Sequence, residues 1–351
     1  MNKNQPKVLF VATSRQTMGG ISSVLKMYEK MEFWKEYKCA WLETQVNKGM
    51  ALKLWYMIKA YITMLFIVPC YDIIHFHTVP GMSIKIQLPV FLYSCLWRKK
   101  TIIHIHVGDC MILDHKNDGL FKYVLEKATK VVVLADSFKS IMKDTFKIQA
   151  EVLYNPIDCI ENIEKKNKEN YILFASIARP NKGYDTLLKA YKIVTEKYPE
   201  WGLVMAGFGD SQEAKDLICE LGLTEKVTIH KWCDRATMHN LYNNAGMFCI
   251  ASQKEGFPMT FLEAASYGVP IVTTPVGGLK DVIKNESNCM VFDFNDHTML
   301  AEQIIKLIEN PTLRENISKE LKLLIKNKFS MNIINDDIVS LYRNIMTFSN
   351  R

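Results

Sequence analysis

The sequence predicts an α/β protein made of two doubly wound, largely parallel sheets. Short apolar runs alternate with amphipathic segments along the chain, which is the pattern of repeated strand–helix units. At 351 residues the chain is long for a single hydrophobic core. The alternation stops once, at the very polar residues 155–170, and then starts again. We therefore expect two domains joined by a linker in that stretch.

Twelve short apolar runs are expected to be strands, six before the polar stretch and six after it. Most are continuously apolar, as in parallel strands that are covered on both faces. They are residues 7–12, 39–42, 72–77, 101–107, 130–134 and 151–154, then residues 171–176, 203–206, 227–230, 247–251, 270–273 and 290–292. Helices are expected over residues 21–31, 51–70, 137–146, 183–197, 235–244, 259–267, 297–309, 311–328 and 330–348.

Composition excludes several classes of protein. With 48% hydrophobic and 23% charged residues, the chain is neither disordered nor an integral membrane protein by composition. The net charge of +7 favours phosphorylated substrates or an anionic membrane, but its spread along the chain argues against nucleic acid. Nine scattered cysteines without a C-x-x-C pair indicate reduced thiols. The start of the chain lacks the build of a signal peptide, so we expect a cytoplasmic protein.

Residues 51–70 form the longest apolar stretch. It has nearly the length of a membrane span, but Lys53 and Lys59 interrupt it. A core helix whose lysine side chains reach the solvent is favoured over a true span. The alternative is a helix lying at a membrane surface, with Trp55 at headgroup level and residues 97–100 as a second contact.

Two predicted strands each end in a His-x-His pair, His75 with His77 and His104 with His106. Four histidines raise the possibility of zinc, but no carboxylate or cysteine shares a ligand spacing with them, so no metal is expected. His106 lies where a strand should end and is the better candidate for a cleft residue. The alternative is a histidine that bonds only to the backbone.

The strongest chemical signal is SQKEGFPMTFLE, residues 252–263. Glu255 lies in the loop after a predicted strand, and Glu263 lies two turns into the following helix. The first N–H groups of that helix, at positions 259–261, lack intrahelical partners and form an anion site. Ligands of open α/β sheets bind at such strand ends. A ligand that donates hydroxyl groups and carries phosphates suits both features, and a nucleotide sugar is such a ligand.

Other predicted strand-to-helix loops carry suitable groups at the same sheet edges. Gly19 and Gly20 follow the first strand, where they allow either close approach of a ligand or an ordinary tight turn. Arg179 and Lys182 follow the strand at 171–176 and suit a diphosphate, although a solvated basic loop has the same spacing. Another Gly-x-Gly turn begins at Gly207.

Together these motifs resemble those of the retaining glycosyltransferases of family 4, which have the GT-B architecture. The segment EGFPMTFLE resembles the E-x7-E motif of that family, and NPID at residues 155–158 resembles its sequence before the interdomain linker. The resemblance implies catalytic roles for Glu255, His106, Arg179 and Lys182, without a covalent nucleophile. It implies donor contacts at Gly19, Gly20, Arg179, Lys182, Gly207, Trp232, Glu255, Gly256, Phe257, Met259, Thr260 and Glu263.

The same resemblance implies two Rossmann-like domains that face each other across a cleft. Residues 1–160 would form the acceptor-side domain and residues 161–328 the donor domain, while residues 329–351 would form a helix that crosses back to the first domain. The implied reaction moves a sugar from a UDP- or GDP-linked donor to a glycan or lipid-linked acceptor, with retention and without a metal or other cofactor. A role in polysaccharide biosynthesis at the inner face of the cell membrane follows. A nucleotide-sugar epimerase and a non-catalytic partner subunit are the alternatives.

Overall fold

The computed structural model describes residues 5–160 and 168–347. The chain divides into two compact units, Met1–Pro156 with Phe329–Arg351, and Ile157–Lys328. Residues 161–167 of the polar stretch that predicts the linker lie outside the described residues.

The first unit is built on a six-stranded parallel sheet in the order β2-β1-β3-β4-β5-β6. Its central strands are fully buried, because helices cover both faces of the sheet. The strands are β1 (Val8–Thr13), β2 (Ala40–Gln45), β3 (Ile73–Thr78), β4 (Lys100–Ile105), β5 (Lys130–Val133) and β6 (Ala150–Val152). The helices are α1 (Gly20–Tyr28), α2 (Glu32–Glu36), α3 (Met50–Ile67), α4 (Met82–Leu96), α5 (Asp109–Asp114), α6 (Gly119–Lys127) and α7 (Asp136–Phe146).

The second unit repeats the plan with a sheet in the order β12-β11-β10-β7-β8-β9. Its strands are β7 (Glu169–Ala175), β8 (Gly202–Ala206), β9 (Val227–His230), β10 (Ala245–Ile250), β11 (Ile271–Thr273) and β12 (Met290–Val291). Its helices are α8 (Tyr184–Lys197), α9 (Gln212–Glu220), α10 (Arg235–Asn244), α11 (Met259–Ser266), α12 (His297–Glu309) and α13 (Pro311–Leu324). All pairings between these strands are parallel. The prediction of two doubly wound sheets is therefore confirmed.

The last helix, α14 (Met331–Thr347), packs on the first unit, as expected for a helix that crosses back. The Tyr342 hydroxyl lies 2.9 Å from Nδ1 of His75 in β3. The backbone N–H of Phe33 donates to Asn335 Oδ1 at 3.0 Å. Both contacts join residues that are far apart in sequence, so the core of the first unit includes the end of the chain.

The prediction that residues 51–70 form a core helix is wrong. Ala60 is the only residue of α3 that is fully buried, and Trp55 and Phe66 are 60% and 72% exposed. The segment Met50–Cys70 meets the length and hydropathy of a membrane span, yet only 11% of its most apolar window is buried. Both faces of this helix are apolar and only one rests on the sheet, so the apolar sequence does not imply that the helix is buried.

Candidate functional site

In the second unit, loops that follow neighbouring strands are bonded to one another at the carboxyl edge of the sheet. In the sheet order, β7 lies between β8 and β10: the chain adds β8 and β9 on one side of β7 and β10 to β12 on the other, so the strand order reverses between β7 and β10. Ligands of doubly wound sheets bind at such a switch point. Three hydrogen bonds connect the loops after β7, β10 and β11: Gln253 N–H to Asn181 O (2.9 Å), Thr274 Oγ1 to Ser252 O (2.7 Å) and Gly278 N–H to Gly256 O (2.8 Å).

Two glycines allow the close approach of these loops. Gly183 has φ +68°, and a Cβ there would lie 2.1 Å from the carbonyl oxygen of Ala251. Gly277 has φ +54°, and a Cβ there would lie 2.3 Å from the carbonyl oxygen of Glu255. Only glycine adopts these backbone angles without strain and leaves room for the facing carbonyl. Gly183 thus sets the distance between the loops after β7 and β10, and Gly277 sets the distance between the loops after β10 and β11.

Lys182 and Glu255 meet at this switch point. The Lys182 ammonium donates to Glu255 Oε1 at 2.5 Å, and the Ser252 hydroxyl donates to the same oxygen at 2.8 Å. The two charged side chains are 22% and 16% exposed, so their attraction is less screened than at an open surface. Within the described residues, Glu255 Oε2 has no hydrogen bond. This oxygen is available to a ligand.

Arg179 lies three residues before Lys182 in the same loop. Its side chain is exposed, and no ion pair or hydrogen bond holds its guanidinium within the described part of the chain. Lys182 N–H donates to the Arg179 carbonyl at 2.9 Å, which keeps the two cations in one turn. A free guanidinium and a fixed ammonium in one turn suit a ligand that carries several anionic oxygens.

Glu263 lies on α11 and is held by a tyrosine that the sequence analysis does not identify. The Tyr242 hydroxyl of α10 donates to Glu263 Oε2 at 2.9 Å. Tyr242 also stacks on Tyr267, with ring centroids 5.5 Å apart. Burial raises the pKa of the Glu263 carboxyl, and the Tyr242 hydrogen bond opposes that rise. A buried tyrosine hydroxyl usually has a hydrogen-bond partner. This preference is the property of the sequence from which the Tyr242–Glu263 pair could have been predicted.

The beginning of α11 has fewer unpaired N–H groups than the sequence predicts. The N–H of Phe261 donates to the Pro258 carbonyl at 3.1 Å, so it is not available as part of an anion site. Met259 and Thr260 are the first residues of the helix, and no side chain caps them. Phe257 is buried and its ring lies 6.4 Å from that of Phe261, which anchors the turn rather than exposing an aromatic side chain.

Two further loops of the second unit carry predicted donor residues. Gly207 has φ +63°, with nothing within 4 Å of a Cβ, so the turn rather than packing requires glycine. Trp232 follows β9 and is 64% exposed. Between them, Asp210 is paired with Lys215 and with Lys231, and these two contacts lower its pKa to about 2.

Gly19, Gly20 and His106 belong to the other compact unit. A Cβ on either glycine would meet nothing within 4 Å, so no neighbouring side chain in the described structure requires glycine there. His106 is half-buried after β4, and its Nε2 lies 2.7 Å from Nδ1 of His77. Its partner is thus a side chain and not the backbone, contrary to the alternative.

The four histidines form one cluster within the first unit. His77 pairs with His104 in the register of β3 and β4, and the rings of His104 and His106 lie 4.3 Å apart. Each of His75, His77 and His104 offers a nitrogen within 4.8 Å of the others. Burial lowers the pKa of all four imidazoles, that of His75 to about 3. The rings are therefore neutral at pH 7.

Residues 158–323, nearly all of the second unit, match the family model described as glycosyl transferases group 1. The two six-stranded parallel sheets match those of GT-B structures, so the chain has the GT-B fold. The family match is confined to the second unit, and the structural similarity over the whole chain shows its fold.

Named relatives are distant. The chain is 27% identical to an uncharacterized glycosyltransferase of Haemophilus influenzae, over 56% of this chain and 56% of that protein. It is 26% identical to the capsular polysaccharide biosynthesis glycosyltransferase CapM of Staphylococcus aureus, over 78% of this chain and 71% of CapM. The crystal structure of Anabaena Alr3699/HepE in complex with UDP superposes with a TM-score of 0.75 and 18% identity, covering 96% of this chain and 100% of that one.

Proposed function

We propose that the protein is a glycosyltransferase that moves a sugar from a nucleotide sugar to an acceptor. The observation that carries the proposal is the Lys182–Glu255 pair beside Arg179 at the switch point of the second sheet. A nucleotide-sugar donor is further supported by the similarity in fold to the Anabaena protein, whose complex contains UDP.

The cations would act on the leaving group. Negative charge grows on the diphosphate as the glycosidic bond breaks, and positioned cations stabilise that charge more in the transition state than in the ground state. Arg179 has a guanidinium free to bind phosphate oxygens, and Lys182 is held at the same loop by Glu255. These cations would do the work of a divalent metal, so we propose metal-independent transfer, with a UDP- or GDP-linked sugar as substrate and no cofactor.

The acids would bind hydroxyl groups. Glu263 presents one oxygen to Tyr242, which leaves its other oxygen for the ribose. Glu255 Oε2 would accept from the sugar, and the N–H groups of Met259 and Thr260 would bind an anionic oxygen. His106, as a neutral imidazole, would assist at the sugar. Transfer would retain the anomeric configuration by attack on the face from which the diphosphate leaves.

The acceptor would be a glycan or a lipid-linked glycan in polysaccharide biosynthesis, bound by the first unit. Support comes from the similarity to CapM, a glycosyltransferase of capsular polysaccharide biosynthesis. The protein would act in the cytoplasm, at the inner face of the cell membrane.

The test is acceptor-dependent release of nucleoside diphosphate. The purified protein is incubated with UDP-glucose, UDP-N-acetylglucosamine or GDP-mannose, with and without a bacterial membrane extract. A transferase releases nucleoside diphosphate when the extract is present. An epimerase converts the donor without releasing it, and a non-catalytic subunit does neither; either result would overturn the proposal.

Variants connect the activity to the site. Arg179→Gln and Lys182→Gln are expected to lower turnover by at least tenfold each, because each removes a charge from the leaving group. Lys189→Gln is the matched control, since Lys189 is an exposed lysine of α8 outside the bonded loops. Equal turnover in all three variants would separate the activity from this site.

A further inference from the structure

The first unit exposes an apolar surface formed by α3 and the end of α4. Here "apolar surface" means Leu54, Trp55, Ile58, Ile62, Leu65, Phe66, Leu92, Leu96 and Trp97, which are 43% to 76% exposed. Single exposed apolar residues are ordinary, but nine on two adjacent helices are not. A surface of this kind marks a contact with another apolar phase.

Side-chain hydrogen bonds hold the two helices side by side. The Tyr61 hydroxyl of α3 donates to the Ile86 carbonyl of α4 at 2.9 Å, and the Tyr93 hydroxyl of α4 donates to the Leu65 carbonyl of α3 at 3.2 Å. The two helices therefore run in the same direction, and the last turn of α4 lies beside the last turn of α3. Their exposed residues form one surface rather than two separate patches.

The exposed stripe of α3 is itself periodic. Trp55, Ile58, Ile62 and Phe66 follow the three-to-four spacing of one helix face. The opposite stripe, with Tyr56, Ala60 and Met64, is buried or half-buried. A helix that only covers a sheet needs one apolar stripe, so the second stripe has no purpose in the packing of this unit.

The segment of the chain that carries the apolar surface is rich in cations and almost free of acids. From residue 44 to residue 108 the sequence contains one acid, Asp72. The same segment contains seven cations: Lys48, Lys53, Lys59, Lys85, Arg98, Lys99 and Lys100. The Lys99 ammonium donates to the Pro69 carbonyl at 2.8 Å, which places the basic residues 98–100 near the carboxyl end of α3. An anionic partner complements this arrangement.

We propose that the apolar surface lies on a lipid bilayer that contains anionic headgroups. Apolar side chains, two tryptophans and a cationic surround are the combination by which a helix binds in the plane of the interface. A span is not the geometry proposed, because Tyr61 and Ala60 fix one face of α3 to the unit. A second copy of the chain is disfavoured, because a two-fold contact would bring the two sets of cations together.

The test is co-sedimentation of the full chain with vesicles, without donor or acceptor, so its result is independent of the proposed activity. Vesicles of phosphatidylcholine alone are compared with vesicles containing about one third phosphatidylglycerol, at low and high salt. We expect binding that is at least tenfold stronger to the anionic vesicles and that weakens with salt, because salt screens the headgroup attraction.

Two double variants separate the apolar and the electrostatic contribution. We expect each double variant to weaken binding to anionic vesicles by at least tenfold. The apolar variant is Trp55→Ser with Phe66→Ser, and the charge variant is Arg98→Gln with Lys100→Gln.

Each double variant has a control in the other unit. Leu323→Ser is the apolar control, because Leu323 is 51% exposed on α13. Lys189→Gln with Lys192→Gln is the charge control on α8. Unchanged thermal midpoints would show that the variants fold.

The proposal would be overturned if the wild-type chain did not sediment with anionic vesicles, or if all variants bound them equally. It would also be overturned if the wild-type chain formed a dimer in solution, the Trp55→Ser, Phe66→Ser double variant were monomeric, and vesicles bound neither the dimer nor the monomer. Quenching of wild-type tryptophan fluorescence by lipids brominated on the acyl chain, lost in Trp55→Ser with Trp97→Ser, would support insertion of the surface.

Discussion

The Tyr242 hydroxyl donates to Glu263 Oε2 at 2.9 Å, which joins α10 to the second acid of the E-x7-E segment. This bond fixes the carboxylate on one side and leaves its other oxygen to a ligand. It also opposes the effect of burial on the Glu263 pKa. Tyr242 is therefore a positioning residue in the proposed donor site.

Tyr242→Phe is expected to weaken nucleotide binding by about tenfold, equivalent to about 1.4 kcal/mol, because the carboxylate loses its fixed orientation. The measurement is titration calorimetry with the nucleoside diphosphate. Tyr198→Phe is the control. Tyr198 follows the carboxyl end of α8, and its hydroxyl donates to Glu309 of α12 in the same way as Tyr242 donates to Glu263. Wild-type affinity in Tyr242→Phe would contradict the positioning role.

Nucleotide binding is expected to weaken in acid. Because burial raises the Glu263 pKa, the carboxyl takes up a proton at a higher pH than an exposed glutamate. Its protonated form is a poorer acceptor for ribose hydroxyls, so affinity falls as pH drops through the raised pKa. Affinity measured from pH 7.5 to pH 5 checks this. Glu263→Gln should bind weakly with a flatter pH profile, and a profile as steep as wild type would assign the effect to another group.

Gly183→Ala is expected to destabilise the protein more than Gly222→Ala, although both glycines have φ +68°. Each alanine has the cost of the left-handed region, about 1 kcal/mol. Only at Gly183 would the new Cβ meet a backbone atom, 2.1 Å from the Ala251 carbonyl oxygen, whereas nothing lies within 4 Å at Gly222.

We expect the additional cost at Gly183 to be about 2 kcal/mol, because the loops after β7 and β10 must move apart. Thermal midpoints of the two variants measure the difference, and turnover should fall only in Gly183→Ala. Equal midpoints would mean that the loops separate freely and that the glycine does not set their distance.

The stability of the chain is expected to fall as pH drops below about 6.5, the ordinary value for histidine. The buried imidazoles have lowered pKa values, that of His75 about 3, so between these limits the unfolded chain binds more protons than the folded one. The contribution of these histidines to the free energy of unfolding is thus fully present above about pH 6.5 and is lost progressively toward pH 3.

Removing one ring should reduce this dependence. His104→Leu deletes a buried imidazole whose pKa is lowered mainly by burial. Its thermal midpoint should change less between pH 7.5 and pH 5 than that of the wild-type chain. His297→Gln, at the half-exposed start of α12, should keep the wild-type dependence. The same slope in His104→Leu would mean that other groups control acid unfolding.

The strands were the most predictable part of the fold. The runs that form β1 and β10 are almost continuously apolar, and few structures other than a buried parallel strand accommodate them. The loop that contains Glu255 was also predictable, because an acid, a glycine and a proline follow a strand. Proximity of Lys182 to Glu255 followed from topology, since carboxyl ends of parallel strands share one edge.

Burial and pairing were harder to predict. For α3, the apolar residues are the same whether the helix is covered by protein or exposed, so periodicity did not distinguish the two. The Tyr242–Glu263 bond depends on the angle between two helices, which sequence spacing does not encode. The histidine cluster required the register of β3 against β4.

The path of α14 has a consequence for synthesis on the ribosome. His75 and Tyr342 meet across 267 positions, and the whole of Ile157–Lys328 is translated between them. The sheet of the first unit is therefore synthesised before α14, and the face of that sheet that carries His75 is covered only after α14 has been translated. A nascent chain that stalls near its end would present that face to chaperones, and removal of the final twenty residues should impair the unit that is made first.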